Sequence, residues 1–161
     1  MKVFISHKQQ DSPIALSIQS AFKRYGIETY LDVLDTSING GGKTLTEHIK
    51  QELNTCTDII VVISKWTKLS WWVPFEIGMS AQIDMPTANY LSSDEELPSY
   101  LDYWPRLTSI NDIATYITVR NNVKQQMYRQ DSAFGNYVVA KQRKSETPEF
   151  YRQLKQALRR Y

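Results

Sequence analysis

Asp58-Ile59-Ile60-Val61-Val62-Ile63-Ser64 sets five β-branched apolar residues in a row between two polar ones. Branching at Cβ stiffens χ1 and suits a pleated strand better than a helix. The run does not alternate with polar residues, so neither side of the strand is made for water. A strand of that kind belongs near the centre of a parallel sheet whose two faces are covered by helices.

The segments around it supply such a sheet. Lys2 to Ser6 reads as a buried first strand, followed by a polar loop from Ser6 to Asp11. Ser12 and Pro13 have the chemistry of an N-cap and a first helical position. Ile14, Ile18, Ala21, Phe22 and Tyr25 then form the apolar stripe of a helix that Gly26 ends. Ile27 to Leu34 is the second strand, and Asp35 to Lys43 a loop rich in Gly, Ser and Asn. Thr44 and Glu47 fit a capping box for a helix to about Thr55, with Leu45, Ile49 and Leu53 as its stripe. After the central strand come a loop with Ser64, Lys65, Trp66 and Ser70, and a helix carrying Trp72 and Glu76. Farther on, Pro86 to Leu91 reads as a fourth strand, Asp94 to Trp104 as a short irregular helix, and Leu107 to Ile110 as a fifth strand. Asn111 can cap a helix running toward Gln130, and a last helix spans Pro148 to Tyr161.

Strands alternating with helices predict an α/β fold with a doubly wound, parallel, right-handed sheet of five strands. Ligands of such sheets bind beyond the carboxyl ends of the strands, near the switch point. The loops after the first three strands, Ser6 to Asp11, Asp35 to Lys43 and Ser64 to Ser70, converge there.

A chain of 161 residues, 42% hydrophobic and 12% aromatic, is long and apolar enough for one domain with a real core. The single cysteine, Cys56, has no internal partner, which fits a reducing, cytoplasmic setting. No apolar run reaches the length of a membrane span, and the N-terminus lacks the layout of a secretory signal. Residues 1–123 hold 10 Lys/Arg against 14 Asp/Glu, a net of −4, and residues 124–161 hold 9 against 3, a net of +6. A basic tail on an acidic body is first a solvated or docked surface, so a nucleic-acid partner is not expected.

The most unusual stretch is Ser70-Trp71-Trp72-Val73-Pro74-Phe75-Glu76-Ile77-Gly78. It joins two tryptophans, a proline in the first turn, and the one charge between Ser70 and Ile83. On a helix Trp72, Glu76 and Ser80 share a face. Taken alone, Glu76 reads first as a dipole-favoured acid near a helix start, beside core tryptophans. Its other reading is chemical. A lone carboxylate beside aromatic rings suffices to break an N-glycosidic bond whose leaving base already carries positive charge, as nicotinamide does in NAD. Nicotinamide departs neutral and needs no general acid, whereas ordinary glycoside cleavage requires a second carboxyl.

Other motifs are set aside. Asn39-Gly40-Gly41-Gly42-Lys43-Thr44 suggests a phosphate loop, but Ser37 stands where the Walker spacing requires glycine. Lys43 can still meet a phosphate near a helix start. His7 and His48 are the only histidines, so no metal site is expected. Neither a Gly-x-Ser-x-Gly elbow nor a Gly-x-Gly-x-x-Gly after the first strand is present.

In order and spacing, Val3-Phe4-Ile5-Ser6-His7 with Asp11, Gly26 to Asp32 leading into a glycine-rich loop, Asp58 to Ser64, and Ser70 to Glu76 together resemble a TIR (Toll/interleukin-1 receptor) domain. The resemblance covers about residues 2 to 120. It implies a flavodoxin-like fold for residues 1–120, with residues 121–161 a helical extension packed on the same domain. Enzymatic TIR domains cleave NAD with a glutamate four residues after a tryptophan, the spacing of Trp72 and Glu76. The resemblance thus implies that Glu76 is catalytic and Trp72 packs beside the nicotinamide ribose. Ser6, His7, Lys8 and Asp11 would help bind the nucleotide, and Gly40 to Lys43 would lie in the family's second-strand loop, which moves or makes assembly contacts. NAD is then substrate, and no cofactor is expected.

A freestanding chain of this size looks like the bacterial anti-phage type of Thoeris-like systems. There a cyclic ADP-ribose signal activates a separate effector protein, and the domains self-associate. Two other readings stand beside it: a non-catalytic TIR–TIR scaffold, and a nucleoside deoxyribosyltransferase-like enzyme on a related fold.

Overall fold

A computed structural model describes residues 1–33, 41–67, 70, 72–92, 99–133 and 146–159. The strands are β1 (Lys2–His7), β2 (Glu28–Val33), β3 (Asp58–Ile63), β4 (Thr87–Leu91) and β5 (Arg106–Leu107). They form one parallel sheet in the order β2-β1-β3-β4-β5. All six residues of β3 are buried, as the unbroken apolar run requires. The helices are α1 (Ser12–Lys23), α2 (Gly41–Thr55), α3 (Trp72–Gln82), α4 (Asp112–Ala133) and α5 (Thr147–Leu158).

The sheet order dictates where the helices lie. The crossover from β1 to β2 moves one way across the sheet, and that from β3 to β4 the other way. Right-handed crossovers therefore put α1 and α3 on opposite faces. The two directions part between β1 and β3, which is the switch point. Phe4, Ile5, Ile18, Phe22, Ile49, Ile59, Ile60 and Tyr116 are fully buried between these layers. Each such side chain contributes roughly 1.5–3 kcal/mol relative to exposure.

Local chemistry explains the boundaries. Gly26 takes φ of +69°, with its N–H on Lys23 O at 2.9 Å and that of Ile27 on Phe22 O at 3.2 Å, so the chain reverses after α1. Ser12 does not cap with its side chain. A 3-10 turn, Gln9–Asp11, feeds directly into α1, and Ser12 Oγ donates to Gln9 O at 2.7 Å. Thr44 is no N-cap either, because α2 begins at Gly41 and leaves Thr44 inside it. The loop before that helix, residues 34–40, lies outside the described residues, as do Trp71 and residues 93–98. Of the irregular segment expected from 94 to 104, residues Ser99–Tyr103 form a 3-10 helix.

The fifth strand is shorter than expected. The Asp112 carboxylate accepts the N–H of Thr108 at 2.8 Å and of Ser109 at 3.0 Å, turning the chain into α4 after only two ladder residues. Asn111 stands immediately before α4, whose first residue is Asp112. α4 runs without a break through residue 120, the boundary expected for the extension.

α5 is laced to the sheet. Phe150, Tyr151 and Leu154 are buried in the same core, and Phe150 meets Tyr116 edge-on at 5.1 Å. Tyr151 Oη accepts the N–H of Thr87 at the start of β4, at 3.0 Å. Thr147 Oγ1 donates to Asp84 O at 2.9 Å, and Lys155 Nζ to the carbonyls of Asp102 and Tyr103 at 2.9 and 2.8 Å. At the amino end of β3, Asp58 Oδ1 accepts from Arg120 Nε at 2.8 Å and Tyr116 Oη at 2.9 Å, and Oδ2 from Thr57 Oγ1 at 2.6 Å. Arg120 Nη1 lies 2.7 Å from Glu146, just ahead of α5. Burial pushes the Asp58 carboxyl above its ordinary range, and Arg120 pulls it back.

Two expectations follow from this end of the sheet. Arg120→Met strands the buried Asp58 carboxylate and lowers stability by about 3–5 kcal/mol, read from urea unfolding, while adding Asp58→Asn restores part of the loss. Burial also pushes the Tyr151 hydroxyl up to about 12, above its ordinary value of 10.0. The stability gained by keeping it neutral is therefore complete below pH 10 and fades as pH rises toward 12. Tyr151→Phe is expected to flatten the fall of the urea midpoint across that window, and an unchanged fall contradicts this.

Candidate active site

Polar side chains gather at the carboxyl ends of β1 and β3. Ser6, near the end of β1, is fully buried, and its hydroxyl donates to Glu76 Oε2. Glu76 is the fifth residue of α3 and only 1% exposed. A charged carboxylate held this far from water requires hydrogen bonds, and the Ser6 hydroxyl supplies one.

The start of α3 is built to bring Glu76 there. Ser70 Oγ accepts the N–H of Trp72 at 3.2 Å and of Val73 at 3.3 Å, satisfying two donors of the first turn. Pro74 is the third helical residue, where a missing N–H costs no intrahelical bond. Trp72, Glu76 and Ser80 do share an inward face: Trp72 is half-buried, and the other two are buried. Trp72 stands edge-on to Phe75 with centroids 5.7 Å apart. Ser80 Oγ donates to Ile77 O at 2.9 Å and lies 3.4 Å from Thr87 Oγ1, which joins α3 to β4.

The segment after β1 carries the next polar groups. His7 is buried, with Nδ1 3.2 Å from Ile5 O and Nε2 3.4 Å from Ser12 Oγ. A carbonyl only accepts, so that contact fixes a proton on Nδ1. Asp11 is buried and accepts from Ser64 Oγ at 2.7 Å, tying the loop after β1 to the loop after β3. Lys8 is half-buried, and its carbonyl accepts the N–H of Asp11 at 2.8 Å.

Ser6, His7, Asp11, Trp72 and Glu76 are thus grouped around the switch point, linked through Ser6–Glu76 and Asp11–Ser64. Lys43 is not part of that buried group. Its side chain is 88% exposed in the first turn of α2, 4.0 Å from Glu47. Ser64, absent from the candidate residues, is the hub that the motif reading missed. A signal was available in the Ser64-x-x-Thr67 spacing: Thr67 Oγ1 accepts the Ser64 N–H at 2.7 Å and donates to Ser64 O at 2.8 Å. Among the described residues, no three His, Cys, Asp or Glu side chains gather as a metal ion would require.

At the opposite, amino end of the strands a cleft of about 360 Å³ is lined by residues including Thr57, Asp58, Arg120, Lys124 and Glu146. Its main charges are engaged in the Asp58–Arg120–Glu146 network.

A family profile described as TIR domain matches residues 3–130. No curated protein matches the chain in sequence. Among solved structures, the TIR domain of the Toll-related receptor TRR-2 from Hydra magnipapillata aligns with 80% of this chain and 95% of its own, at 16% identity and a TM-score of 0.53. A 2-deoxyribosyltransferase from Bacillus psychrosaccharolyticus aligns with 70% of this chain and 90% of its own, at 12% identity and a TM-score of 0.57. At such identities both similarities concern the fold alone. Because the profile match runs from β1 through nearly all of α4, the chain belongs to the TIR-domain family.

Proposed function

We propose that this TIR domain cleaves the nicotinamide–ribose bond of NAD, with Glu76 facing the ribosyl cation as it forms. The observation that carries the reading is the Glu76 carboxylate itself. It is buried, held by Ser6 Oγ, and located at the switch point where open α/β sheets bind ligands. A purely adhesive domain has no need of a desolvated carboxylate there.

The bond electrons leave with the pyridinium nitrogen, so nicotinamide departs neutral. Positive charge grows on the ribose C1′ and ring oxygen, and a fixed anion in a poorly solvated site stabilises it more than it stabilises the substrate. Trp72 flanks the nicotinamide ribose, and Ser6, His7, Lys8 and Asp11 bind and orient the nucleotide. Lys43, on the exposed first turn of α2, is suited only to a phosphate at the rim. No metal or cofactor takes part. Water that captures the cation yields ADP-ribose and releases a proton. Capture by the substrate's own adenine or a ribose hydroxyl yields a cyclic product instead, favoured where water is excluded and the substrate folds back. The cyclic outcome suits a cytoplasmic, Thoeris-like anti-phage role, in which self-associating TIR domains signal to a separate effector.

Purified protein incubated with NAD is expected to release nicotinamide. Glu76→Gln is expected to cut release by roughly a hundredfold or more with an unchanged thermal midpoint. Chromatography against ADP-ribose standards separates hydrolysis from cyclisation. Unchanged release in the Glu76→Gln protein contradicts the assignment.

A further inference from the structure

The turn after β3 uses buried groups to hold an exposed indole. Ser64 Oγ donates to Asp11 and accepts the N–H of Trp66 at 3.0 Å and of Thr67 at 3.4 Å. Ser64, Thr67 and Asp11 are buried, yet Trp66 is 42% exposed. The turn needs only the backbone N–H of that residue, which any non-proline would supply. A single exposed apolar side chain is common on a protein surface, but this one stands on a turn fixed by buried groups at the carboxyl end of the sheet. Lys65 Nζ stands over one face of the same ring, 4.9 Å from its centroid, which leaves the other face for a stacked base.

The position is informative. Asp11, the anchor of this turn, and Ser6, which donates to Glu76, bracket one short segment. The backbone that carries the indole and the buried carboxylate are therefore tied, through Ser64–Asp11 and Ser6–Glu76, to the two ends of the same six-residue segment at the carboxyl end of the sheet. NAD consists of two aromatic bases joined through two riboses and a diphosphate. With the nicotinamide ribose at Glu76, the rest of the molecule requires a flat surface for the second base and a cation for the diphosphate.

We propose that Trp66 is the stacking ledge for the adenine of the dinucleotide, and that Lys65 meets its diphosphate. The inference rests on the NAD reading of Glu76. Indole and purine faces stack without base-specific hydrogen bonds, and a lysine serves a phosphate as a point charge. Binding through adenine then separates dinucleotides from mononucleotides that carry the same scissile bond.

Titration calorimetry with ADP-ribose and with nicotinamide mononucleotide tests this. ADP-ribose is expected to bind both the wild type and Glu76→Gln. Trp66→Ala is expected to weaken ADP-ribose about tenfold, the loss of one base–aromatic stack, and Trp66→Phe to recover most of it. Affinity for nicotinamide mononucleotide, which lacks adenine, should not change. The ledge is overturned if the wild type does not bind ADP-ribose or if Trp66→Ala binds it equally well. It is also overturned if Trp66→Ala weakens both ligands alike, or if its only effect is on the oligomeric state, which would make Trp66 a self-association contact. Failure of the NAD reading looks different. Trp66-dependent ADP-ribose binding in a protein that releases no nicotinamide supports the ledge while removing the proposed chemistry at Glu76.

Discussion

Keeping a carboxylate out of water is the constraint on which the carboxyl end of this molecule turns. Glu76 lies on an inward helix face at 1% exposure, and the Ser6 hydroxyl donates to it. That contact requires Ser6 to be held rigidly. β1 is paired on both sides, with Ser6 opposite Asp32 of β2 and Val61 of β3 along the backbone. It equally requires α3 to start at the right place, which the Ser70 cap and Pro74 in the first turn ensure. Moving the helix start by one residue would rotate Glu76 by about 100° off that face.

The two ends of the sheet use their polar groups differently. At the amino end, Asp58, Arg120, Tyr116 and Glu146 form a charge network that joins β3 to α4 and to the residue preceding α5. Tyr151 completes it by occupying the first backbone donor of β4. Asp58, Arg120 and Glu146 each have a charged partner there. At the carboxyl end the polar groups sit instead where two crossovers diverge, the place in an open α/β sheet where a ligand can enter between loops.

The five-stranded sheet was legible because burial leaves a periodic mark. The unbroken β-branched run of β3 announced a strand covered on both faces, and Gly26 marked the end of α1 through a conformation that glycine adopts freely. The face shared by Trp72, Glu76 and Ser80 followed from helical spacing alone. What escaped were the partners of polar side chains, most of them local and one far away in sequence. Ser12 has the composition of a cap, but the 3-10 turn before it makes its hydroxyl face Gln9 and His7. Thr44 and Glu47 match a capping box, yet the glycines ahead of them are already helical. Ser64 became prominent only when β1 and β3 were paired and Asp11 came within 2.7 Å of it. The length of β5 depended on Asp112, whose carboxylate captured N–H groups that a propensity reading left to the ladder.

The central claim is that the ribose losing nicotinamide lies against Glu76. A crystal structure of the Glu76→Gln protein with intact NAD tests it most directly. The expected result places the nicotinamide ribose within hydrogen-bonding distance of the substituted side chain and of Ser6, beside Trp72, at the carboxyl end of β1 and β3. Ordered NAD elsewhere, as in the cleft lined by Asp58 and Arg120, or a ribose directed away from position 76, would contradict it.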